Sequence, residues 1–152
     1  NRSNARLSVG DAAFLRSVRS AYRETGHGER TRLLYGMVYW FTCDYNLSTH
    51  PDADNISKKV WDGDGLEGIA YADDQQMRLR VAAVVDLGFG GEGVAGRLDE
   101  FDLSDAPTDL TIAIERLLSG PAPMGRAQTP SFTYIELGVL DFGRVRFGPE
   151  QP

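Results

Sequence analysis

The apolar residues of this chain fall into short stretches, and this grouping is the strongest constraint on its fold. Uninterrupted apolar stretches such as Val81–Val85 have only the length of a strand, and 17 glycines and 7 prolines interrupt the sequence. No run approaches the roughly 18 apolar residues that a membrane-spanning helix needs. With 152 residues, the chain is long enough to bury a core without crosslinks. We therefore expect one α+β domain and no membrane partner.

Local patterns predict two main helices and a small mixed β-sheet. Apolar residues at helical spacing predict a helix over 10–25, which Gly26 and Gly28 end. Asp54 and Asn55 are suited to cap a second helix that runs to Asp62. Aromatic and β-branched residues predict strands over 33–43 and 77–87.

The C-terminal half has weaker signals. Alternation of Leu110, Ile112 and Ile114 with smaller or polar residues favours a strand, although a short helix would produce the same pattern. Glycine-rich and acidic residues predict a long loop over 89–107, and Pro and Gly predict a linker over 120–130. Residues 132–140 and 144–147 are expected to form a C-terminal hairpin extension. The domain core is thus predicted over about 1–118, with 119–152 as linker and hairpin.

The net charge of −6 is distributed unevenly. Residues 1–32 hold seven arginines against three acids, whereas residues 33–74 hold two lysines against eight acids. A negative net charge argues against a nucleic-acid partner. An acidic cluster next to a basic segment, however, suits a metal site that faces a polyanion. A solvated surface of mixed charge is the simpler alternative. The single cysteine, Cys43, excludes an internal disulfide and suits a reducing cytoplasm.

Two acidic segments are the best candidates for chemistry. Asp52 and Asp54 precede Lys58 at helical spacing, and Asp73 and Asp74 come just before a predicted strand. Carboxylates bind hard Mg²⁺, and a lysine stabilises charge on a phosphate, so the set suits a magnesium-dependent phosphodiesterase. The structural alternative is that these acids cap a helix and a turn, and that Lys58 pairs with Asp62.

The two segments resemble the RusA family of Holliday junction resolvases, whose pattern is D-x-D-N-x-x-K followed by D-D-x-Q. This chain has Asp52-Ala53-Asp54-Asn55-Ile56-Ser57-Lys58 and then Asp73-Asp74-Gln75-Gln76. Upstream, Ser3-Asn4 before an arginine-bearing helix is similar to the first part of the family's fold. The resemblance covers about residues 1–85.

The resemblance implies a RusA-like fold and a homodimeric endonuclease that resolves four-way DNA junctions in recombination and repair, in the cytoplasm of a bacterium or from a phage. It implies Mg²⁺ as cofactor, with Mn²⁺ as a substitute, held by Asp52, Asp54 and Asp74, with Asp73 as an additional ligand. Lys58 matches the family's catalytic lysine. Arginines on the predicted first helix are candidates for contacts to the DNA backbone: Arg16, Arg19 and Arg23.

Two other functions remain open from the sequence. The chain is alternatively a non-catalytic DNA-binding or assembly module that keeps the carboxylates for structure. It is also compatible with a nuclease for flaps or other branched DNA.

Overall fold

The computed structural model describes residues 9–43, 51–87, 102–119 and 131–144. Within these ranges the chain forms three α-helices, three strands and two short 3₁₀ turns. The elements, in chain order, are α1 (Val9–Glu24), β1 (Leu34–Thr42), α2 (Ala53–Trp61), a 3₁₀ turn (Asp74–Gln76), β2 (Met77–Asp86), α3 (Thr108–Ser119), β3 (Ser131–Val139) and a second 3₁₀ turn (Phe142–Arg144). The α+β prediction is confirmed, as are α1, α2, β1 and β2, but a third helix replaces one predicted strand.

The described strands form a mixed sheet in the order β2-β1-β3. β3 is antiparallel to β1, since the Leu140 amide donates to the Leu33 carbonyl at 2.9 Å and Phe132 stacks on Phe41 at 4.7 Å between ring centroids. β2 is parallel to β1, because Met77 contacts Gly36 where both strands begin and the Leu87 amide donates to the Thr42 carbonyl where both end.

The contacts divide the chain into two compact units, each built from several segments. The first unit comprises residues 1–36, 61–80 and 137–152, and the second comprises residues 37–60 and 81–136. In the first unit, the buried side chains of Leu34, Leu66 and Tyr71 form part of the core, together with Trp61. A Cβ atom on Gly36 would lie only 2.4 Å from the Trp61 ring, so this strand position has room for glycine alone.

The core of the second unit is an apolar cluster between helix and sheet. Leu110, Ile114 and Leu117 of α3 pack with Phe41 of β1 and Val85 of β2. These three α3 residues follow helical spacing, whereas Ile112, which the strand prediction placed on their face, is 42% exposed. The strand predicted over 110–114 is therefore wrong: the residues that contact the core are four and three apart, not two.

The C-terminal region also differs from the predicted hairpin. β3 is a member of the main sheet, beside β1, rather than half of a separate extension. Arg144 lies in a 3₁₀ turn and not in a returning strand. Residues 145–147, the linker over 120–130, most of the predicted loop over 89–107 and the Ser3-Asn4 segment lie outside the described residues.

The helices of the described ranges are too short or too polar to cross a membrane.

Candidate functional site

The first acidic segment lies at the start of α2. The Asp52 carbonyl accepts the first helical hydrogen bond, from the Ile56 amide at 3.2 Å, and its carboxylate accepts the Asn55 amide at 2.8 Å. Asp52 is therefore the N-cap of α2, where the sequence pattern favoured Asp54 and Asn55. Only one carboxylate oxygen, Oδ1, makes this bond, and a carboxylate has acceptor capacity on both oxygens.

Asp54 and Lys58 form an ion pair on the outer side of α2. Their Oδ2 and Nζ atoms are 2.6 Å apart, and their side chains are 70% and 59% exposed, respectively. The opposite side of the helix carries the buried residues Ile56 and Val60. Because these apolar residues fix the orientation of α2, the carboxylate and the ammonium are both presented to solvent.

The second acidic segment is the turn that leads into β2. The Asp73 carboxylate accepts the Gln75 amide at 2.8 Å, and the Gln76 side-chain oxygen accepts the Asp73 amide at 3.3 Å. The two side chains thus form a reciprocal capping box around the 3₁₀ turn Asp74–Gln76. Asp73 has a structural role here, whereas the carboxylate of Asp74 is half-exposed and lies near Arg80.

Arg80 of β2 approaches Asp74 at two points. One guanidinium nitrogen lies 3.9 Å from the carboxylate Oδ2 and 3.5 Å from the backbone oxygen of the same residue. The sequence places Arg80 six residues after Asp74, a separation at which neither helix nor strand periodicity predicts a contact. This residue was not among the predicted site residues.

Gln76 anchors the turn to the segment before β1. Its amide nitrogen donates to the backbone carbonyls of Arg30 at 3.0 Å and Arg32 at 3.2 Å. Its oxygen accepts the Ala72 amide at 3.1 Å in addition to the Asp73 amide. These four hydrogen bonds fix the orientation of the Gln76 side chain. They also fix the backbone of the turn that carries Asp74. The spacing of Asp73 and Gln76, D-x-x-Q, is the sequence signal that predicts this capping role.

Tyr71 is fully buried and precedes the same turn in the sequence. Its buried hydroxyl donates to the backbone carbonyl of Trp61, the last residue of α2. Burial raises the pKa of the Tyr71 phenol well above its usual value; Arg80 opposes this rise, and Glu67, Asp62 and Asp74 add to it. Arg80 and Asp74 are therefore both close enough to Tyr71, within the first unit, for their charges to affect its pKa.

The basic side of α1 is present as predicted. Arg16 and Arg23 are exposed, Arg19 is half-buried, and all three fall within an arc of about 60° around the helix axis. The apolar side of α1 carries the buried residues Leu15 and Val18.

Among the described residues, no group of three or more histidine, cysteine, aspartate or glutamate side chains is close enough together to bind a metal ion. Asp52 and Asp54 belong to the second unit, and Asp73 and Asp74 to the first.

Neither a family model, nor a curated protein, nor a solved structure shows significant similarity to this chain.

Proposed function

We propose that this chain is a Mg²⁺-dependent endonuclease that hydrolyses phosphodiesters of branched DNA, with the four-way junction as its substrate. The supporting observation is the outer side of α2, where a carboxylate and a lysine are held 2.6 Å apart and exposed, directly after the N-cap carboxylate of Asp52. A further exposed carboxylate, Asp74, starts the 3₁₀ turn before β2. Asp54 and Lys58 lie on α2, Asp52 caps that helix, and a capping box holds the turn that carries Asp74, so hydrogen-bonded elements position all four groups.

The chemistry of these side chains fits Mg²⁺. This ion prefers oxygen ligands and is commonly bound by one or two carboxylates together with waters and substrate phosphates, so a closed protein cage is not required. In this proposal Asp52 and Asp54 would hold the ion at the start of α2, and Asp74 is the further ligand that the family resemblance implies. Asp73 contributes chiefly by shaping the turn before β2. When bound, the metal supplies an activated water and neutralises charge on the phosphate.

Lys58 acts electrostatically in this proposal. Its ammonium is already placed beside the Asp54 carboxylate, with Nζ and Oδ2 2.6 Å apart. A charged lysine stabilises the negative charge that develops on the phosphate, and it does not serve as a base.

The arginines of α1 would contact the phosphodiester backbone. Exposed arginines on one side of a helix position DNA without reading its sequence. Because a four-way junction has two strands to cut symmetrically, the proposal includes a homodimer with two sites. Replacing Arg16, Arg19 and Arg23 with Ala is expected to flatten the salt dependence of DNA binding by about 0.9 in log–log slope for each lost phosphate contact. An unchanged slope would remove α1 from the DNA interface.

The direct test is cleavage of an end-labelled four-way junction, with a flap substrate alongside, in Mg²⁺ and in EDTA. Asp52→Asn and Asp74→Asn are each expected to lower the single-turnover cleavage rate by at least about 10²-fold while DNA binding persists. Asp64→Asn, at an exposed acid outside the proposed site, is the matched control and should cut normally. If either site variant cuts at the wild-type rate, the site assignment is wrong, and preferential flap cleavage would change the substrate.

One observation favours a second candidate, a non-catalytic DNA-binding or assembly module. Each acid of the two segments already has a structural partner: Asp52 and Asp73 cap, Asp54 pairs with Lys58, and Asp74 pairs with Arg80. In that case, the protein would bind junctions equally in Mg²⁺ and EDTA and cut neither substrate. The Asp52→Asn variant would then change only the melting temperature.

A further inference from the structure

The first part of β2 is the most exposed stretch of the described sheet. After the buried Met77, the next three residues, Arg78, Leu79 and Arg80, are all exposed, although a strand that is covered on one side would bury every second residue. Within the described residues, β2 is also an edge strand, with β1 as its only neighbour in the sheet. A binding partner can therefore reach both arginines.

Little negative charge opposes these two arginines. β2 contains no acidic residue before Asp86, and β1, the strand beside it, contains no charged residue. Within the described part of the chain, the Arg78 guanidinium makes no hydrogen bond or ion pair. Arg80 lies 3.9 Å from the Asp74 carboxylate, and the two side chains are 33% and 50% exposed. An exposed pair at this distance stabilises the fold little, so Arg80 remains available to a second anion.

A third arginine lies where β1 and β2 begin. The Gln76 side chain donates to the backbone carbonyl of Arg32 at 3.2 Å, which holds this segment beside the turn that leads into Arg78. The Arg32 side chain is exposed and, like that of Arg78, has no hydrogen-bond or ion-pair partner among the described residues. All described arginines except Arg116 belong to the first unit, so this unit is the one suited to a polyanion.

We infer that Arg32, Arg78 and Arg80 form a contact surface for the DNA backbone, in addition to α1 and independent of any metal ion. The inference rests on the proposed function for its choice of DNA as the polyanion. Alternation along β2 places Arg78 and Arg80 on the same side of the strand, about 6.6 Å apart at 3.3 Å per residue. Each guanidinium matches the oxygens of a phosphate, and such contacts position DNA without reading its sequence.

The test measures binding of a fluorescent four-way junction in EDTA, so that no metal ion contributes, between about 50 and 200 mM salt. The double variant Arg78→Ala/Arg80→Ala should flatten the log–log salt slope by about 1.8, or about 0.9 for each lost phosphate contact, and adding Arg32→Ala should flatten it by about 0.9 more. Arg116→Ala, at an exposed position of α3 in the second unit, is the matched control and should keep the wild-type slope. A wild-type slope in the double variant would overturn the inference.

A lysine variant separates a phosphate contact from a structural role. Arg78→Lys/Arg80→Lys keeps both charges, so its salt slope should match that of the wild type although the guanidinium geometry is lost. The structural alternative is that the arginines protect an exposed edge strand from pairing with another copy of the chain. In that case the alanine double variant would form larger species than the wild type in sedimentation velocity and would bind DNA with an unchanged slope, which would refute the contact surface.

These results separate the inference from the proposed function because the binding test does not require cleavage. A chain that shows the slope changes but cuts no junction would retain the arginine surface and refute the nuclease. A chain that cuts junctions while its salt slope is insensitive to the three arginines would retain the nuclease and refute the surface. A wild-type chain that binds no DNA would refute both.

Discussion

The start of α2 and the turn before β2 use the same arrangement of two acids in different structural settings. In each segment the first acid caps the backbone and the second pairs with a cation further along the chain. At α2 the cation is Lys58, four residues after its partner and 2.6 Å from it. At the turn it is Arg80, six residues away, across a longer gap of 3.9 Å.

The difference is in what holds each segment in place. The α2 segment depends on local helical spacing, since both the cap and the ion pair are complete within seven residues. The turn depends on distant parts of the chain, because Gln76 donates to carbonyls more than 40 residues away. Changes at α2 should therefore affect function more than folding, and changes at the turn should affect both.

The largest effect is expected at Lys58. Lys58→Arg keeps the charge but not the compact ammonium geometry, and we expect cleavage to slow by about 10²-fold in single-turnover measurements. Mn²⁺ binding should be retained, because no carboxylate is lost.

Substitution of Lys58 should change the stability of the protein much less than its cleavage rate. Lys58→Ala removes an exposed pair at i, i+4, which is worth only about 0.3–0.5 kcal/mol, so the melting curve should shift slightly. Normal cleavage by Lys58→Ala would show that the lysine serves only the helix and would remove it from the site.

At the turn, Gln76→Glu is expected to cause a large loss of stability, in contrast to the Lys58 variants. The new carboxylate oxygen would face the carbonyls of Arg30 and Arg32 in place of a donor, which should lower the free energy of unfolding by about 1–3 kcal/mol. Urea unfolding at neutral pH measures this loss. Gln75→Glu is the matched control, since its exposed side chain is adjacent in sequence and should tolerate the charge. Equal stability of the two variants would show that the anchor is not needed to hold the turn.

A smaller effect is expected at Tyr71. Tyr71→Phe removes the hydrogen bond to the Trp61 carbonyl and should lower the free energy of unfolding at neutral pH by about 1 kcal/mol. Because burial raises the pKa of this phenol, its protonated form stabilises the fold fully below the usual value of 10.0, and that contribution is lost as the pH rises further.

The same variant tests the sign of this pH dependence. The wild type should lose stability between neutral pH and about pH 10.5 faster than Tyr71→Phe, whose side chain does not ionise. Urea unfolding at both pH values measures the difference. A stability gap that widens with pH would contradict the assignment of the raised pKa to Tyr71.

Local residue patterns were sufficient to predict the elements whose signals lie within one short segment. Apolar spacing and the glycine at 26 define α1, which ends at Glu24, and Gly26 has the positive φ of 71° that favours glycine at a helix end. The pair of Asp54 with Lys58 has the i, i+4 spacing that a helix brings together, although the sequence favoured Asp62 as the partner of Lys58 and Asp54 or Asn55, rather than Asp52, as the cap. Contacts at this spacing form wherever the helix forms, so a pattern of residue types is enough to narrow them to a few candidates.

Elements whose partners are remote in the chain depend on tertiary packing and could not be predicted from local patterns. Leu110, Ile112 and Ile114 alternate as in a strand, yet the segment is α3, because packing of Leu110, Ile114 and Leu117 against Phe41 and Val85 outweighs the local pattern. The contact of Arg80 with Asp74 and the anchoring of Gln76 to Arg30 and Arg32 have the same origin. These contacts depend on the pairing of β1 with β2, which no local residue spacing predicts.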